Sequence, residues 1–111
     1  MSHAAEFAGQ LRERIIIERA VSGRSAIGTQ QSGWEQVARC LAAIKPSGAG
    51  AEREGMALSA MPRFDVTIRR RDGVAVGQRV RWSGRWLQVR QLIEDPRTPD
   101  RTLLRCEEVR G

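Results

Sequence analysis

Tyrosine is absent from these 111 residues, and aromatic residues make up only 5% of them, as three tryptophans and two phenylalanines. A core with so few rings falls to Ile, Leu, Val and Ala, which suits a sheet curled on itself or one covered by a short helix. The length allows one domain with a single modest core. Histidine is nearly missing too. His3 is the only one, in a polar N-terminal stretch, so Ser-His and Cys-His nucleophilic catalysis lack a base. The two cysteines, Cys40 and Cys106, lie in separate strand-like segments without the clustered partners of a zinc site. They read as small buried hydrophobes, and a disulfide stays open only if their strands are neighbours. Gly48, Gly50 and Gly55 lack the Lys-Ser/Thr sequel and the strand-to-helix context of a phosphate loop. Glu107 and Glu108 are adjacent on a strand, so they point to opposite faces and cannot act as a carboxylate pair. No apolar run approaches the ~20 residues that span a bilayer, and no signal-peptide pattern opens the chain. These absences point to a soluble, intracellular non-enzyme with no cofactor, no metal and no membrane partner.

What the chain has is arginine. Lys45 is the only lysine among 19 basic residues, against 13 acidic ones, giving a net charge of +6 and a pI near 11.1. Residues 63–90 hold eight arginines against Asp65 and Asp72, a net of +6, while the remaining 11 basic and 11 acidic residues cancel. The planar guanidinium suits phosphate, carboxylate and aromatic faces, so an anionic partner is expected, either nucleic acid or an acidic protein surface.

The same region carries the clearest strand pattern. In residues 64–69, Phe64, Val66 and Ile68 alternate with Asp65, Thr67 and Arg69, a period of two. Asp72-Gly73 and Ser83-Gly84 break residues 64–96 into three short strands, read as one meander, and Asp95-Pro96 closes it. Further strands are expected at 14–21, 34–45 and 101–109, the second of these favoured over a helix because residues 22–33 look like a hairpin connection. Residues 47–62 form a second long loop, with room for a short helix at 51–60. Residues 1–13 read as a flexible arm with a helical turn around 4–11. The fold expected is all-β: a small antiparallel β-barrel or sandwich of about six strands with two long loops and at most one short helix over residues 14–111.

Two groups of side chains stand out. Arg69, Arg71, Arg79, Arg81 and Arg85 could form one patch on adjacent strands, touching phosphate or acidic side chains; the plainer alternative is that they solvate an edge strand. Trp82 and Trp86 flank the Ser83-Gly84 turn, and with Trp34 they read as packing or interface anchors rather than base-stacking platforms.

The order of motifs resembles that of the phage head-tail adaptor (head-tail joining, head-completion) family. Residues 11–19, LRERIIIER, look like its first strand. WEQVA at 34–38 is similar to its W-x-x-V-A strand, and AAIKPSG at 42–48 to its A-x-I-x-P-x-x-G end, with Glu52 near an acidic position. FDVTIR at 64–69, QRVRWSGR at 78–85, Asp95-Pro96 and RCEE at 105–108 follow in the family's order. Leu41 departs from it, at a position where the family often has an aromatic. The resemblance implies a barrel that assembles into a ring of about six or twelve copies below the portal of a tailed-phage, prophage or gene-transfer particle, made in the bacterial host cytoplasm. It implies as partners the portal-side adaptor or connector ring, tail terminator or tail proteins, and packaged DNA. It also implies that the 47–62 loop, with Gly48, Glu52, Arg53, Glu54, Met56 and Met61, projects toward the channel and gates it. A small nucleic-acid-binding barrel using the arginine patch is the alternative.

Overall fold

Inward apolar residues on every strand wrap the chain around one core. The computed structural model describes residues 3–24, 30–47 and 61–110. A helix, α1 (His3–Gln10), precedes six strands: β1 (Glu13–Arg24), β2 (Gln30–Pro46), β3 (Arg63–Arg69), β4 (Arg79–Trp82), β5 (Arg85–Ile93) and β6 (Arg101–Val109). All pairings are antiparallel, and the strands close into a barrel in the order β1-β2-β3-β6-β5-β4. The expected barrel of six strands is therefore present, and closure gives every strand a partner on both sides over part of its length.

The core follows the period-two reading. Ile15 and Ile17 of β1, Val66 and Ile68 of β3, Val80 of β4, Leu87 and Val89 of β5 and Leu104 of β6 are fully buried. Residues 34–45 are strand, as favoured from the sequence, with Ala38 and Ala42 buried and Cys40 and Ile44 half-buried against the core. Small residues there let β2 approach the branched side chains opposite. Cys40 and Cys106 are both free thiols.

Three expectations need correction. Residues 64–96 are three strands but not a meander: β3 pairs with β2 and β6, whereas β4 pairs with β1 and β5. In the closed order β3 and β4 stand on opposite walls, so the 70–78 connection crosses one end of the barrel. Half-buried Val74 packs on the core there, and Gln78 Nε2 donates to the Gly73 carbonyl at 2.7 Å. Gly73 has φ +90°, and a Cβ on it would sit 3.4 Å from Val37 Cγ1, so glycine meets both a backbone and a space requirement. The second correction is that residues 22–33 are not all loop. Ser22, Gly23 and Arg24 pair with Ser32, Gln31 and Gln30, because an antiparallel ladder satisfies backbone groups whatever the side chains. The third concerns residues 1–13. Phe7 and Leu11 are buried, and Arg12 N donates to the Ala42 carbonyl at 3.1 Å, so residues 7–12 are packed on the barrel. The helical turn expected around 4–11 is α1.

The burial contrast makes a test. Ile17→Ala and Leu104→Ala should each lower stability by about 2–5 kcal/mol in denaturant unfolding, because their cavities lie in a closed core. Leu41→Ala, on a residue 47% exposed, should stay within about 0.5 kcal/mol of the parent.

Candidate functional site: an arginine and tryptophan face

The β4–β5 hairpin sets the site. Its turn, Ser83 (φ 49°) and Gly84 (φ 78°), has the two positive φ values of a primed two-residue hairpin, whose twist matches the strands it joins. Register then puts Arg81 opposite Trp86 and Trp82 opposite Arg85. Trp82 turns toward the core: it meets Phe64 edge-on at 5.2 Å, and its indole N–H donates to Glu13 Oε1 at 2.9 Å.

Trp34 and Trp86 do something else. The Arg79 guanidinium lies 3.9 Å from the centroid of each ring, and Arg81 lies 4.8 Å from that of Trp86. Arg79 Nε also donates to Glu18 Oε1 at 2.7 Å, and Arg81 reaches Glu18 Oε2 at 3.9 Å. One carboxylate on β1 thus holds two guanidiniums of β4, and Arg79 bridges indoles from β2 and β5. Such contacts gain strength where they are partly desolvated. Arg79 and Glu18 are only 22% and 13% exposed.

Beside this stack the outer wall of β2, β1 and β4 forms an open groove of about 760 Å³. Its side chains alternate like a checkerboard. Arg39, Ile16 and Arg81 make one cross-strand row, and Leu41 and Arg14 the next. Trp86 and Arg85 close one side; Arg85 is tied to Glu108 at 3.2 Å.

The structure divides the expected arginine patch. Arg79, Arg81 and Arg85 belong to one hairpin. Arg69 and Arg71 lie beyond β1 and β2, since β3 and β4 are not adjacent. They line a smaller depression of about 240 Å³ with Ala8, Leu11, Cys40 and Leu41, Arg69 standing 5.9 Å over Phe7. Arg14, Arg39 and Leu41 were missed as site residues. Alternation places Arg14 and Ile16 outward, but only the β1–β2 register brings Arg39 and Leu41 beside them. A second cluster was also missed. A bulge between Val89 and Gln91 projects Arg90 toward Glu107 (3.0 Å), which Arg63 approaches at 3.8 Å. Of the loop residues singled out, Gly48, Glu52, Arg53, Glu54 and Met56 lie outside the described residues; Met61 is half-buried just ahead of β3. Among the described residues no group of three or more His, Cys, Asp or Glu is placed to hold a metal.

Burial pushes the Cys106 thiol from an ordinary 9.0 up to about 12, with Asp65 adding to the effect. Burial also raises Cys40, though the neighbouring Arg71 partly offsets it.

Two residues, Arg79 and Cys106, give measurements that check this geometry. Arg79→Met should cost about 1–3 kcal/mol, because it strands a mostly buried Glu18 carboxylate, and should shift tryptophan emission. Arg79→Lys should restore only part of the loss, since an ammonium lacks the planar fork. A thiol whose folded pKa is raised keeps its proton while the unfolded one ionises. Stability should therefore fall as pH rises from about 9 toward about 12, and Cys106→Ala should flatten that fall. Alkylation at pH 9 should reach Cys106 only on unfolding.

The barrel is shared with solved structures. It superposes on the solution structure of protein SF1141 from Shigella flexneri 2a with a TM-score of 0.72 at 24% identity, covering 90% of this chain and 94% of that one. A chain in the virion of a native gene transfer agent particle matches with a TM-score of 0.60 at 19% identity, covering 88% and 96%. No curated protein sequence matches it. The phage head completion protein family matches over residues 8–109, from α1 through the end of β6. This chain belongs to the phage head completion protein family and is a structural component of a phage-type particle.

Proposed function

We propose that this protein is a ring-forming stopper or adaptor that closes the DNA-filled head below the portal and gives the tail its docking surface. The observation that carries this is the family match across the whole barrel. The closed sheet supports it physically. Within the closed part of the sheet each strand is already paired on both sides, so there contacts between copies fall to side-chain faces and to the connections between strands. The arginine and tryptophan face is one such surface. The neighbours are the portal-side connector ring and tail proteins, within a virion or gene-transfer particle assembled in the host cytoplasm. No bond is made or broken in this work; binding and closure suffice.

A barrel that reads nucleic acid through the arginine patch has less support. Arg79, Arg81 and Arg85 each have a carboxylate within 4 Å, so phosphate contact would have to displace those partners. Particles made without the protein should be tailless and leak DNA, as seen by negative-stain microscopy and nuclease sensitivity; normal tailed particles would remove the proposal. Binding of the isolated chain to DNA with a salt slope of about one unit per phosphate would favour the nucleic-acid role instead.

A further inference from the structure

We infer that the groove on the β2–β1–β4 wall is the docking site for an acidic segment of a different protein chain, one that carries an apolar side chain between its carboxylates. This deepens the structural role proposed above by naming the chemistry of one partner surface.

The groove's own chemistry sets the first requirement. Its floor is apolar, with Leu41 47% exposed and half-buried Ile16 beside it. Arg14, Arg39 and Arg81 alternate with these two residues across neighbouring strands. Cross-strand neighbours stand about 5 Å apart, so each apolar side chain is flanked by guanidiniums. A ligand that only supplied negative charge would leave Leu41 and Ile16 in water. One that was only apolar would desolvate arginines without pairing them, which is costly. A carboxylate-apolar-carboxylate pattern answers both.

The second requirement is where the carboxylates come from. Among the described residues no carboxylate lies within 4 Å of Arg14 or Arg39, and that of Arg81 is at 3.9 Å. The described carboxylates are engaged elsewhere. Glu18, Glu35, Asp65, Glu94, Asp95, Asp100, Glu107 and Glu108 each have an arginine within 4 Å, and Glu13 accepts from Trp82. Asp72 is left over. Among the described side chains a second copy therefore offers few free carboxylates for this rim, which favours a different chain as their source.

DNA fits less well. Of the two indoles at the groove, Trp82 turns toward Phe64, and Trp86 already carries Arg79 at 3.9 Å and Arg81 at 4.8 Å. Little of the Trp86 ring remains for a base to stack on, and a phosphate backbone has nothing to place on Leu41.

The test is an NMR titration of the isotope-labelled full chain at low salt, which needs no particle. The probe is a short synthetic peptide with four Asp and Glu residues around a central Leu-Phe pair. Three further probes are its analogue with Ser in place of Leu-Phe, a peptide of residues 48–60 of this chain, and oligo(dT). The acidic-apolar peptide should move the amides of Ile16, Leu41 and Trp86. The Ser analogue should bind about tenfold more weakly. Leu41→Asp and Arg39→Glu should each weaken the parent peptide by a similar factor. Both positions are exposed, and unchanged spectra elsewhere show that the variants fold. No shifts at millimolar peptide, or equal binding of the Ser analogue, would overturn the inference. So would tighter binding of oligo(dT) at the same amides, which would make the partner nucleic acid, or of the 48–60 peptide, which would make it a second copy. These outcomes leave the head-completion role standing, whereas normal tailed particles without the protein would remove that role and leave the groove result intact.

Discussion

The barrel closes at its shortest seam. Between β1 and β4 only three residue pairs meet, Ile16 with Arg81, Ile17 with Val80 and Glu18 with Arg79, yet without them the sheet would be open at two edges. Inside the seam Ile17 and Val80 are fully buried. Outside it, Glu18 holds Arg79 and Arg81, and Arg79 ties the indoles of β2 and β5 across it. A short ladder contributes few backbone hydrogen bonds, each worth about 1 kcal/mol net, so side chains on both faces share the work of closure. The same side chains build one wall of the groove. Stability of the fold and shape of the outer face are consequently coupled at Arg79 and Glu18.

This coupling changes what the excess of arginine means. A net charge of +6 on a small chain looks like an electrostatic footprint for nucleic acid. In the folded protein most described carboxylates lie within 4 Å of an arginine, and guanidiniums cover the faces of Phe7, Trp34 and Trp86. Exposed pairs such as Arg19 with Glu35 contribute little to stability. Their effect is to distribute charge, so that Arg14 and Arg39, beside an exposed leucine, become the distinctive part of the surface.

How much could be read beforehand depended on how local the signal was. The alternation of Phe64, Val66 and Ile68, the Ser83-Gly84 turn and the strand at 34–45 all appear in the structure, because strand faces and tight turns are set by residues two or three apart. The pairing of β3 was misread, because alternation says which way a side chain points and nothing about which strand lies alongside. For the same reason Arg69 and Arg71 were joined to the wrong partners. The ladder beyond residue 21 was missed because backbone pairing needs no apolar period. The packing of Phe7 and Leu11 onto the barrel was missed because a short stretch shows two apolar residues without showing what they cover.

The sequence by itself determined the strand segments, their inward faces, the primed turn, the shortage of catalytic groups and, through the order of its motifs, the family. All of these rest on short-range chemistry or on motif order along the chain. Only the tertiary structure decided that β4 closes on β1, that Glu18 serves two arginines sixty or so residues away (61 for Arg79), and that Arg14, Ile16, Arg39, Leu41 and Arg81 share one groove. The physical reason is register. Where two distant strands settle against each other is chosen by the packing of the whole core, and a slip of one residue would turn each of these side chains to the other face.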